Sequence, residues 1–84
     1  MALPNQPVTL SIDQVAQLNE KLRTLRHDIN NRLAVVIAAV ELIRLKPESA
    51  QSMIGTIAEQ PAKITEALKL FSAEFEATLG IKRP

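Results

Sequence analysis

Residues 27–31 read His-Asp-Ile-Asn-Asn, and three of these side chains could do chemistry together. His27 is the single histidine of the chain. A neutral imidazole has one lone-pair nitrogen that can attack an electrophilic centre such as phosphorus, and a second nitrogen that keeps its proton. Asp28 sits about 100° further round a helix. Its carboxylate can accept a hydrogen bond from that proton, fix the tautomer and stabilise the imidazolium that forms, as the acid does in a catalytic triad. Asn31 follows His27 by one helical turn, on the same face, and an amide there can orient a water without acting as a base. Arg23, one turn earlier, can steer an acidic or phosphorylated partner.

These residues need a rigid element to hold them, and the surrounding pattern supplies one. Val15, Leu18, Leu22, Leu25 and Ile29 recur at three- and four-residue steps, an a/d-type seam. His27 lies about 160° from both Leu25 and Ile29, so the seam is buried and the imidazole faces water. Ser11 with Gln14 three residues later makes a capping-box pattern, and Asp13 adds negative charge to the first turn. The first helix is therefore expected over residues 12–45, about 50 Å long. Its second half, residues 33–43, is apolar nearly all round, so more than one side must be covered.

Lys46-Pro47-Glu48-Ser49 reads as a turn, since Pro47 cannot continue the first helix but suits the start of a second. A second helix is expected over residues 48–79, with a seam of Ala50, Ile54, Ile57, Pro61, Ile64, Leu68, Phe71 and Phe75. Pro61 predicts a kink near Ile57 to Pro61, and Gly80 a C-cap. Residues 1–10, with Pro4 and Pro7, read as a flexible lead-in and residues 81–84 as a tail.

The fold class expected is all-α: an antiparallel helical hairpin over residues 11–80. Two such helices have no third element to cover their seams, so the hairpin is expected to dimerise into a four-helix bundle. Composition agrees, with 46% hydrophobic residues but only 2% aromatic in 84 residues. Ten basic and nine acidic side chains leave a net charge of +1, which does not ask for nucleic acid. There is no cysteine, so disulfide and thiolate-metal chemistry are excluded. The apolar runs are far shorter than the ~20 residues of a membrane span, and no signal-peptide pattern opens the chain. A soluble, cytoplasmic protein is expected, without membrane, metal or cofactor.

The segment His27-Asp28-Ile29-Asn30-Asn31-Arg32-Leu33 resembles the phosphoacceptor box of sensor histidine kinases, in their dimerisation and histidine-phosphotransfer domain. The family pattern is histidine, an acid, two variable positions, Asn or Thr, then often Pro-Leu. Arg32 stands where proline is common, which predicts a straighter, stiffer helix after the histidine. The resemblance covers roughly residues 11–79. It implies His27 as phosphoacceptor, Asp28 as its orienting acid, and Asn31 as the residue that positions water for dephosphorylating a partner. Below the histidine run Asn31, Ala34, Ala38 and Glu41; in the family, the receiver domain of a response regulator docks here, and Ala34 and Ala38 leave room for it. Arg23 belongs to the same expected docking surface.

The activity this implies is exchange of a phosphoryl group between His27 and the aspartate of a response-regulator receiver. The glycines are Gly55 and Gly80 alone, so there is no phosphate-binding glycine loop and transfer from ATP is not expected. The chain would be a stand-alone phosphotransfer protein, part of a larger kinase, or a relative that keeps only docking. The competing readings are a non-catalytic inhibitor or scaffold that binds a receiver or a histidine kinase, and a plain coiled-coil adaptor in which His27 is incidental.

Overall fold

The computed structural model describes residues 4–80. Helix α1 spans Ile12–Leu45, a short 3-10 turn spans Pro47–Ser49, and helix α2 spans Ala50–Leu79. They form an antiparallel hairpin 57 Å long and 12 Å thin. The lead-in falls partly, and the tail wholly, outside the described residues.

Local chemistry sets the ends of α1. The Ser11 hydroxyl accepts from the Gln14 backbone N–H at 3.0 Å, and the Gln14 side chain accepts from the Ser11 N–H at 2.8 Å. Two of the orphan donors of the first turn are thereby satisfied. At the other end the Lys46 N–H donates to the Leu42 carbonyl. The second helix begins later than the pattern predicts, at Ala50 rather than residue 48. The Ser49 hydroxyl donates to the Lys46 carbonyl at 2.7 Å, and that bond holds residues 47–49 in a tighter 3-10 turn. Helix α2 ends at Gly80, whose φ of 69° is the left-handed conformation glycine adopts without strain.

The inner seam of α2 is the expected one only in part: Ala50, Ile57, Ile64, Phe71 and Phe75 are half-buried. Ile54 and Leu68 are 60% and 44% exposed, and Pro61 is exposed too, whereas Met53, Ile57, Gln60, Ile64, Ala67, Phe71, Glu74 and Thr78 are covered in whole or part. On α1, Leu18, Leu25 and Ile29 are half-buried, but Val15 and Leu22 remain exposed. Among the described residues Ala39 is the single buried apolar side chain.

The helices are tied across the hairpin by Lys21 and Glu74, whose Nζ and Oε2 are 3.1 Å apart. Antiparallel pairing from that bridge sets Asp28 level with Ala67 and Val35 level with Gln60. Helical arithmetic then places Val15, Leu22, Ile29, Leu33 and Val40 of α1 on the same side of the hairpin as Ile54, Pro61, Leu68 and Phe75 of α2. On this side Leu33, Val40, Ile54 and Leu68 are exposed, and His27 lies on a different side.

Helix α2 runs unbroken through Pro61. Proline removes the N–H that the Ile57 carbonyl would accept, and in a helix interior it disfavours the helix by about 3 kcal/mol relative to alanine, glycine by about 1. Helix α1 contains neither residue.

Candidate functional site

Three directions of α1 are about 120° apart. One faces α2, one carries the apolar stripe, and the third carries His27, Asn31, Ala34, Ala38 and Glu41, every one of them exposed. The expected docking strip is therefore a continuous surface free of both the hairpin contact and the apolar side.

The His27 side chain is 73% exposed and that of Asp28 51%. The imidazole turns its Nδ1 toward both expected helpers. Asp28 Oδ1 is 4.0 Å away, just beyond a direct hydrogen bond. Asn31 Nδ2 lies at 3.5 Å, one turn along. With the proton on Nδ1, a small rotation of Asp28 completes a charge-assisted hydrogen bond and the Nε2 lone pair is left facing solvent. With the proton on Nε2, the Asn31 amide N–H donates to Nδ1 instead, and no exposed lone pair remains on the ring.

Arg23 and Glu41 are exposed on the strip, but each is engaged on its own helix. Arg23 Nη2 contacts Glu20 Oε1 at 3.0 Å, and Glu41 Oε1 contacts Arg44 Nη1 at 3.3 Å. Such exposed pairs exchange readily with solvent, being worth well under ~1 kcal/mol, so both side chains can re-pair with a partner.

One contribution is absent from the sequence pattern. Beside Asp28, α1 and α2 enclose an open groove of about 230 Å³ whose apolar lining comes from Leu25, Ala67, Leu70 and Phe71. The Lys21–Glu74 bridge flanks the end away from Asp28. Leu70 is 62% exposed and lies outside the expected heptad of α2. The signal that could have found it is its place beside Phe71, on the flank turned away from Ile54 and Leu68. Among the described residues no three His, Cys, Asp or Glu side chains gather into a metal site, and no helix is long and apolar enough to cross a membrane.

No protein-family model matches the chain, and no curated protein and no solved structure is significantly similar to it.

Proposed function

We propose that this hairpin is a histidine-phosphotransfer module of two-component signalling, working as a homodimeric four-helix bundle. The observation that carries the reading is the His27 imidazole on a face of α1 that packing leaves free, with its Nδ1 turned to Asp28 at 4.0 Å. Transfer starts with the Nε2 lone pair attacking phosphorus in the aspartyl phosphate of a receiver domain. The N–P bond forms as the P–O bond to the aspartate breaks, and the receiver carboxylate leaves as the anion. The ring keeps its Nδ1 proton, and Asp28 stabilises the resulting imidazolium. Asn31 orients a water where the same face hydrolyses a partner's phosphate. Ala34 and Ala38 let the partner approach the backbone of α1, and Arg23 and Glu41 offer it a cation and an anion.

Two copies pair through the apolar side. Leaving Leu33, Val40, Ile54 and Leu68 each about half exposed over the length of a hairpin is unfavourable in water. A twofold pairing covers these residues on both copies at once and leaves both His27 faces open.

A non-catalytic docking module is the second reading, and it too has an observation in its favour. The Asn31 amide is nearer to Nδ1 than the Asp28 carboxylate is, an arrangement that suits the unreactive tautomer. The two readings separate in one experiment. The protein is mixed with phosphorylated receiver domains, with the His27→Gln and Ala38→Arg variants alongside. Acid-labile, base-stable label on the wild type and none on His27→Gln is expected, with Ala38→Arg losing receiver binding while remaining dimeric. Tight binding with no label at any concentration establishes the docking module instead. Neither label nor binding leaves a plain adaptor.

A further inference from the structure

Three departures from good helix-forming chemistry fall within seven residues of α2. Gly55 has nothing within 4 Å of where a Cβ would stand, so no close approach requires glycine there. Gln60 is 2% exposed. Its Nε2 donates to the Thr56 carbonyl at 2.8 Å, but its Oε1 is buried with no partner. Pro61 follows at once and deprives the Ile57 carbonyl of its donor. Native cores hold few such orphaned acceptors, and this one adjoins a backbone hydrogen bond that Pro61 removes. Helix α1, by contrast, runs from Ile12 to Leu45 with a full capping box and no glycine or proline.

We infer that α2 is built to open locally between Gly55 and Pro61 against a stiff α1, with the buried, unpartnered Gln60 Oε1 as the weak point of the closed state. Opening gives Gln60 Oε1 and the Ile57 carbonyl access to water, so the closed state holds this segment less firmly than its neighbours. The bond from Gln60 Nε2 to Thr56 is what opening gives up. In the hairpin register Gln60 stands level with Val35, between Ala34 and Ala38. The yielding segment therefore lies behind the exposed strip of α1, where a helix docking on that strip meets a support that can give way. The inference rests on the hairpin alone and stands or falls separately from phosphotransfer.

Native-state amide hydrogen exchange on the full chain tests it. Amides of residues 56–60 and 62–64 are expected to exchange about ten-fold faster or more than those of residues 66–75 of the same helix and 32–42 of α1. Gln60→Leu and Pro61→Ala should each slow exchange in residues 56–64 and change the other two segments less than about two-fold. Pro61 lies outside the seam that holds Gln60, so its replacement keeps the test valid should Gln60→Leu repack the seam. Uniform protection along α2 in the wild type, or variants that slow all three segments alike, would overturn the inference.

Discussion

Leu33→Lys is the sharpest test of the apolar side. Leu33 is 48% exposed on the hairpin, and it points neither at α2 nor along the His27 face. Fully burying a leucine is worth ~1.5–3 kcal/mol, so covering the exposed half contributes about 1 kcal/mol for each copy. Both copies lose that term in a twofold dimer, about 2 kcal/mol together, which raises the dissociation constant about 30-fold. Burying an ammonium without a partner adds further cost, so 30-fold is a lower bound. Sedimentation equilibrium over a range of concentrations measures the constant, and far-UV circular dichroism checks that the helices persist. Ala16→Lys is the control, since residue 16 is exposed and lies on the His27 side; it should leave the constant unchanged. A wild type that stays monomeric at every concentration, or a Leu33→Lys protein that dimerises as tightly as the wild type, would refute the assignment of this side to a second copy.

The two glycines should respond with opposite signs. Gly55→Ala meets no neighbouring atom and should stabilise the protein by about 1 kcal/mol, whereas Gly80→Ala forces a left-handed φ of 69° onto an L side chain and should destabilise it by about 1 kcal/mol; thermal unfolding measures both, and equal signs would count against this backbone. The tautomer of His27 decides between the two roles of its helpers. Nitrogen chemical shifts should report the proton on Nδ1 in the wild type and its transfer to Nε2 in Asp28→Ala, where the Asn31 amide is the remaining neighbour. A ring already protonated on Nε2 in the wild type would remove the argument for Asp28 as the orienting acid.

The limits of α1 were legible because each is written in local chemistry: Ser11 with Gln14 at one end, Lys46 before Pro47 at the other. The start of α2 was less so, because the Ser49 hydroxyl bond that tightens residues 47–49 depends on where the chain reverses, which no periodicity records. The seam of α2 misled for a geometric reason. Steps of four and three starting from Ala50 and from Met53 share Ile57, Ile64 and Phe71, so both series fit one helix. The first adds Ile54, Pro61, Leu68 and Phe75, the second Gln60, Ala67, Glu74 and Thr78. Ranked by hydrophobicity, the first should be the core. The hairpin places the second inside, where an alanine and an ion pair suit close helix contact, and turns Ile54, Pro61 and Leu68 of the first outward. The proposed second copy would cover that outward stripe, so the departure in the seam and the expectation of a second chain have one origin.

The same geometry explains why the histidine face was readable while the groove beside it was not. His27, Asn31, Ala34, Ala38 and Glu41 lie on a single helix, whose 3.6-residue period fixes their relative directions whatever α1 packs against. Leu70 and Phe71 share a groove with Asp28 only through the interhelical register, in which Lys21 pairs with Glu74. It also separates the demands on the two helices. Helix α1 must present α2, the apolar side and His27 in three directions at once, so a bend anywhere along it would disturb at least one of them. An unbroken stretch of 34 residues without glycine or proline, with Arg32 where proline resides in the resembling family, meets that demand. Helix α2 serves two directions and carries no part of the His27 cluster, so it can hold Gly55, Gln60 and Pro61 without disturbing the imidazole.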